Sequence, residues 1–369
     1  MIIPRFNVEI KFKSFFNPNG LKYYNKSQSN ELFYYDSATS AIYEYLNSLE
    51  LSSIKVVGVP LYSCSSVWHA IYKAGFKIKF LDISLSTKGY NLDESILDDV
   101  DILVFIHYFG YHYDFQSIKN RYRNLVIISD CTHKRIDIDD NDNISDVKVY
   151  SFNFHKPIVA GQGGVLKLSE TSRFYKKIKT TLTIKKEKLK TNGIKKDLNV
   201  YLKSFFKNIV YKDLLYSIIY QGLIKKEQKF HPPVLDIPIN PKKIGLLGKI
   251  ILGNQLENNQ FNKDLIKNYT TIPISYRLNI NEDDYLSYFP LIFPLGSDRD
   301  EFLVNIKDLK LDSFFLWQYY LANAKFYGYK NNNEYNTKNI ISKLIFLPEQ
   351  LFLDKNKYIL ENLIKRLKS

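Results

Sequence analysis

Three stretches of this 369-residue chain gather the residue types that carbonyl–amine chemistry needs. The apolar run Leu125–Ser129 leads into Asp130-Cys131-Thr132-His133. Val147–Tyr150 leads into Ser151-Phe152-Asn153-Phe154-His155-Lys156, followed by Gly161-Gln162-Gly163-Gly164. Upstream, Ser37-Ala38-Thr39-Ser40 opens an amphipathic helical pattern. A lysine amine condenses with a carbonyl to a Schiff base and then shuttles protons. A carboxylate facing a ring nitrogen keeps that nitrogen protonated, and a hydroxyl-rich helix start offers N–H groups and a favourable dipole to a phosphate. Glycines let the backbone pass close to a bound group.

Each piece has a plainer reading when it stands alone. An aspartate at a strand end is most often a cap or turn residue, and a lysine is most often on the surface. Ser37–Ser40 is a good helix N-terminus by composition, His107 and His133 are ordinary polar residues in a sheet, and the glycine run is a turn. Order and spacing give the combination its meaning. Pyridoxal 5′-phosphate (PLP) requires these parts together: an amine, an acid for the pyridine nitrogen, and a phosphate cradle.

The surrounding pattern says how such groups are brought together. Short runs rich in Val, Ile and Phe at Ile54–Val59, Ile78–Ile83, Ile102–Tyr108, Leu125–Ser129 and Val147–Phe152 predict buried strands. From Ser37 to Leu49, Ala38, Ala41, Ile42, Tyr45, Leu46 and Leu49 share one helical face. Val67, Ala70, Ile71 and Ala74 do the same before Gly75, which suits a helix C-terminus. Strand alternating with helix predicts an α/β fold with a large, mostly parallel sheet and a site at the carboxyl ends of its strands. Residues 170 to about 235 read as a Lys-rich helical insert, so a large domain over 1–240 is expected. A long helix from Lys242 to Tyr269 then starts a smaller C-terminal α/β domain over 241–369, with a strand at Tyr288–Pro294 and a basic amphipathic helix near Tyr358–Leu367.

Composition excludes several classes. The chain is 45% hydrophobic, 15% aromatic and 24% charged, which argues against disordered and low-complexity proteins. Two cysteines, Cys64 and Cys131, build no disulfide framework, and no metal-ligand spacing surrounds either. No stretch is apolar enough to span a membrane, and the N-terminus lacks signal-peptide character, so a cytoplasmic protein is expected. The formal charge of +14 is concentrated: residues 173–229 carry 16 Lys/Arg against 4 Asp/Glu, leaving the remainder near balance. Nucleic-acid-reading motifs are absent. The segment reads first as a solvated helical face and second as an attractor of phosphate-bearing small molecules.

From about Phe33 to Leu168 the sequence resembles the DegT/DnrJ/StrS family of PLP-dependent sugar aminotransferases, whose fold is that of aspartate aminotransferase (fold type I). The resemblance rests on Ser37-Ala38-Thr39-Ser40, Val59-Pro60-Leu61-Tyr62, Ala74-Gly75, Phe80-Leu81-Asp82-Ile83, His107-Tyr108-Phe109-Gly110 with Asp114, Asp130-Cys131-Thr132-His133, Ser151-Phe152 through Lys156, and Gly161–Gly164. It implies Lys156 as the Schiff-base lysine and Asp130 as the pyridinium partner. It also implies His133 near the cofactor ring and its phenolic oxygen, and Ser151, Thr39 and the Ser40 backbone at the phosphate. A homodimer, an amino donor such as glutamate, a nucleotide-linked keto sugar and a role in cell-surface polysaccharide synthesis are implied in the same way.

Departures from the family pattern mark a divergent member. Cys64 stands where the family stacks an aromatic ring on the cofactor, leaving stacking to another group such as Tyr62. Pro157 follows the lysine in place of asparagine. Asn240 is the nearest counterpart of a phosphate ligand from a second subunit, while Gln255-Leu256-Glu257 and Leu347-Pro348 resemble C-terminal landmarks. Two alternatives accompany the reading. One is a PLP-dependent sugar dehydratase, a class that carries histidine at the lysine position, where this chain has Lys156 with His155 one residue early. The other is a non-catalytic binding protein on the same fold, docking through residues 173–229.

Overall fold

The computed structural model describes residues 17–28, 31–49, 56–92, 97–111, 113–136, 144–154, 156–193, 195, 197–199, 202, 230–257, 263–280, 286–330 and 335–368. Most of the basic segment 173–229, and His155, therefore lie outside the described residues. Among those described, no helix is long and apolar enough to cross a membrane.

The alternating strands and helices assemble as the periodicity predicts. Strands β1 (Leu32–Tyr35), β2 (Val56–Pro60) and β3 (Lys77–Leu81) belong to one seven-stranded sheet with β6 (Ile102–Ile106), β7 (Val126–Asp130), β8 (Val147–Ser151) and β9 (Gly164–Leu168). Its order is β1-β9-β8-β7-β6-β2-β3. The neighbours from β3 to β8 pair parallel, and β9 runs antiparallel between β8 and β1. Every residue of β6 and β7 is buried, which explains the apolar runs Ile102–Ile106 and Val126–Ile128: helices or loops cover both faces of a parallel sheet. The expected strand Ile78–Ile83 is found in two parts. Ile83 opens β4 (Ile83–Ser86), which leaves the sheet to form a hairpin with β5 (Gly89–Leu92).

Helix α1 (Asn19–Lys26) packs on the helix Leu246–Glu257. Helix α2 (Ala38–Leu46) is capped by Ser37, whose Oγ accepts from the Ser40 N–H at 3.1 Å. Helix α3 (Ser65–Lys73) follows β2 with Cys64 as its N-cap residue. Helix α4 (Gln116–Arg121) starts where Asp114 accepts from the Gln116 N–H at 2.9 Å. Helix α5 (Tyr175–Lys188) lies in the Lys-rich insert and buries Ile178 and Leu182.

The helix expected over Lys242–Tyr269 is present as Leu246–Glu257 and Lys263–Thr270, on either side of residues outside the description. It starts late because the preceding backbone is already engaged. Asp36 and Lys242 exchange hydrogen bonds, and Lys243 bridges to Thr191. Residues 286–368 supply the antiparallel pair β10 (Phe289–Ile292) and β11 (Leu344–Leu347) and end in the helix Lys357–Lys368, in agreement with the expected strand and basic terminal helix.

Three ties hold these late residues over the carboxyl edge of the large sheet. Thr337 gives its N–H (2.8 Å) and hydroxyl (2.6 Å) to Asp82. The Tyr62 hydroxyl donates to the Leu316 carbonyl at 3.1 Å, and Ser287 donates from its N–H to the Phe109 carbonyl at 2.7 Å. One apolar cluster runs through both halves, from Phe33 to Leu367.

At this edge β9 and α2 meet backbone to backbone. A Cβ on Gly164 would fall on the backbone of Ser37 and Ala38. Gly163 has φ +103°, donates to the Asp36 carbonyl at 2.9 Å and bridges to Ser37. These two glycines set the N-terminus of α2 against the sheet. Gly164→Ala is expected to lower stability by about 1–3 kcal/mol through forced separation of α2 from β9, read as a lower urea midpoint with unchanged slope.

Candidate active site

The sequence-predicted residues come from four strand ends on one edge of the sheet. β2 leads to Cys64, β6 to His107 and Phe109, β7 to Asp130 and His133, and β8 to Ser151 and Lys156. In a parallel sheet these ends open into the same crevice.

Asp130 ends β7 and is 4% exposed. Its carbonyl accepts from the His107 N–H at 3.1 Å, and its Oδ1 accepts from the Thr132 N–H at 3.0 Å. Burial pushes the carboxyl pKa above its ordinary value; the Thr132 hydrogen bonds and the Lys156 charge work against that rise. Lys156 shows the mirror image. Burial pushes its ammonium below the usual lysine range, and Asp130 and Cys64 oppose the shift. The amine is thus biased toward its nucleophilic form.

His133 is 2% exposed. Its Nδ1 accepts from the Phe109 N–H at 3.3 Å, which places the imidazole proton on Nε2. Burial, reinforced by Lys156, holds its pKa well below the ordinary histidine value, so the ring is neutral. The Trp317 indole lies nearly parallel to it, with centroids 5.5 Å apart and planes at 16°, and Tyr288 meets its face edge-on at 4.8 Å. Nothing in the local sequence pattern pointed to Trp317 or Tyr288. Their contacts with His133 span long separations that periodicity does not encode.

A second group gathers beside the start of α2. Ser151, half-buried at the end of β8, lies in register opposite Gly164, which itself touches Ala38. Thr39 is half-buried in the first helical turn. Ser40 is buried and fully engaged: its N–H goes to Ser37 and its hydroxyl to Asp36 at 2.7 Å. The first-turn N–H groups of Ala38 and Thr39 have no intrahelical acceptor, as at any helix start.

Cys64 is half-buried, with Sγ 3.0 Å from the Ser66 hydroxyl. Tyr62 does not take over ring stacking from the neighbouring position. It is 1% exposed, bonded to Leu316, and packed among Tyr108, Trp317 and Tyr320. Asn240 is exposed, two residues from the Lys242 backbone that pairs with Asp36. His107 is buried among Phe105, Phe115 and Tyr113.

This donor set fits PLP. A buried carboxylate with raised pKa, hydrogen-bonded by Thr132, suits a protonated ring nitrogen. A depressed lysine suits a carbonyl carbon, and a helix start beside Ser151 suits a phosphate.

Comparison with known proteins agrees. The DegT/DnrJ/EryC1/StrS aminotransferase family matches residues 29–206, a stretch containing Thr39, Ser40, Cys64, Asp130, His133, Ser151 and Lys156. No curated protein matches by sequence. Among solved structures the fold is similar to Helicobacter pylori PseC, an aminotransferase involved in pseudoaminic acid biosynthesis, at 14% identity and TM-score 0.65, covering 100% of this chain and 98% of that one. It is similar to the sugar aminotransferase CalS13 from Micromonospora echinospora at 13% identity and TM-score 0.67, covering 100% and 99%. It is also similar to NtdA from Bacillus subtilis, solved with bound PMP, at 16% identity and TM-score 0.60, covering 99% and 85%.

The burial of Asp130 generates a prediction for the cofactor-free protein. A carboxyl whose folded pKa is raised destabilises the fold above that pKa, and the penalty disappears as pH falls through it toward the unfolded value. Asp130→Asn is therefore expected to raise the urea midpoint at neutral pH, with the gain vanishing below about pH 4, while PLP binding is lost. Urea titrations of both proteins across that pH range check it.

Proposed function

We propose, from the family segment at residues 29–206, that this PLP-dependent aminotransferase moves an amino group from glutamate onto a keto sugar carried on a nucleotide diphosphate. The observation that carries the reading is the placement of Asp130 and His133 after β7 and of Ser151 and Lys156 after the adjoining strand β8, beside the start of α2.

The bound cofactor would supply an electron sink for the C–H bond next to the transferred nitrogen. The protein's own groups do the rest. Asp130 would keep a proton on the ring nitrogen, and its buried site would strengthen that ion pair. Lys156 would hold the cofactor's carbonyl carbon, and its amine would accept the α-proton and return it one position away. The Nε2–H of His133 would be the donor for the phenolic oxygen. Thr39, through its N–H and hydroxyl, and the Ser151 hydroxyl would hold the phosphate.

The basic segment supports a phosphate-bearing acceptor, since its net charge of +12 favours encounter with a diphosphate. The family resemblance supports a homodimer, a cytoplasmic location and a role in cell-surface polysaccharide synthesis. It also supports the domain division near residue 240.

The test is spectroscopic and kinetic. Wild-type protein with PLP is expected to show a visible band that glutamate bleaches and a nucleotide-linked keto sugar restores. Lys156→Ala is expected to lack the lysine-bound band and to lose at least about 10³-fold in turnover, the upper range for a positioned acid–base group. Full turnover by that variant sinks the assignment. A deoxy product formed without glutamate consumption shifts it to dehydration.

A further inference from the structure

His133 is held by two residues in a backbone conformation that side chains rarely adopt. Among the described residues only Phe109 (φ +64°), Lys310 (φ +53°) and Trp317 (φ +51°) are non-glycines in the left-handed region. Phe109 gives its N–H to His133 Nδ1. Trp317 lies flat on the same imidazole. Strain of this kind persists where surrounding contacts over-determine it, and it collects at working sites.

The contacts around Trp317 are of that sort. The Leu316 carbonyl accepts from the Tyr62 hydroxyl, and the Trp317 carbonyl accepts from the Tyr320 N–H at 2.9 Å. Its indole meets Tyr62 and Tyr108 at steep angles, 69° and 67°, so its parallel alignment on His133 stands apart from its other ring contacts. The residue is only half-buried, so filling the core does not by itself account for the strained backbone. From the opposite direction, Cys64 brings no ring to the site, and Tyr62 is committed to the core.

We propose that Trp317 is a positioning residue for His133, its indole stacked on the imidazole to fix the ring in the Nε2–H form that the Phe109 N–H requires. The proposal deepens the aminotransferase reading and rests on it for its consequence: a fixed Nε2–H donor orients the ring oxygen of the cofactor. The groups facing His133 are the Phe109 N–H, the Lys156 amine, the Tyr288 ring and the Trp317 indole. Of the two rings, Trp317 is the one that lies parallel to the imidazole, at 16° against 61° for Tyr288.

The chain contains two tryptophans, and Trp68 is wholly buried against Phe80 and Tyr327. Trp68→Phe therefore leaves Trp317 as the sole indole emitter in the full-length protein. PLP titration of that variant is expected to quench its emission. Trp317→Ala is expected to weaken PLP binding about tenfold, and Trp317→Phe to stay within about twofold, because a phenyl ring restores the stack. The second readout uses no cofactor. Imidazole ¹⁵N shifts of the cofactor-free protein should report a single Nε2–H form for His133 in wild type and Trp317→Phe, and tautomer averaging in Trp317→Ala.

Wild-type PLP affinity together with an unchanged imidazole signature in Trp317→Ala overturns the proposal. Equal loss of affinity in both variants with the tautomer intact overturns it too, since that is the signature of packing alone. Should wild type bind no PLP, the aminotransferase reading falls, and the cofactor-free nitrogen shifts still decide the positioning claim.

Discussion

Burial of one carboxylate governs the carboxyl edge of this sheet. Asp130 ends a strand that is covered on both faces, where an ionised group without compensation costs several kcal/mol. Backbone bonds fix its place: its carbonyl takes the His107 N–H from the end of β6, and the next residue, Cys131, donates to Val149 on β8. Thr132 and the charge of Lys156 offset the burial in part, and the carboxyl pKa remains raised. Lys156 is pushed the opposite way by the same dry surroundings. Each group is held off its ordinary titration by burial and drawn back by the other. Such an arrangement leaves Asp130 able to gain from a further buried cation, and a pyridinium supplies one.

The phosphate end of the crevice is built on a different principle, steric exclusion. The missing side chain at Gly164 lets α2 meet β9 backbone to backbone, and register places Ser151 opposite that contact. Ser37 and Asp36 then engage the Ser40 N–H and hydroxyl. That choice fixes the helix start firmly and, with Ala38 packed on Gly164, leaves the Thr39 N–H as the donor of the first turn without an intrahelical acceptor. Charge placement at one end and backbone packing at the other are thus set independently by strands β7 and β9, with β8 between them to carry the lysine.

Much of this was legible in the sequence because it is local. Apolar runs gave the parallel strands, Ser37 gave the start of α2, and Asp130, His133 and Lys156 fall within a few residues of strand ends. What escaped is non-local. The Asp36–Lys242 bonds that delay the helix at Leu246 join residues 206 apart. The departure of β4 from the sheet follows Asp82, whose carboxylate is taken by Thr337 from far along the chain. The stack of Trp317 on His133 joins residues 184 positions apart, a pairing no local pattern announces. Periodicity reports which face of an element is buried; it carries no information about which distant residue buries it.

These distant contacts have a common consequence. The Phe109 carbonyl accepts from Ser287, the Leu316 carbonyl from Tyr62, and Asp82 holds Thr337, so the late residues are anchored to loops at the ends of β2, β3 and β6. Phe109 and Trp317, both left-handed, are brought against His133 by those same anchors. Neither conformation would persist in a chain free to relax, because the left-handed region disfavours large side chains. Tyr288 and Trp317 thus reach His133 from far along the chain because backbone bonds at the ends of β2 and β6 fix the loops that carry them.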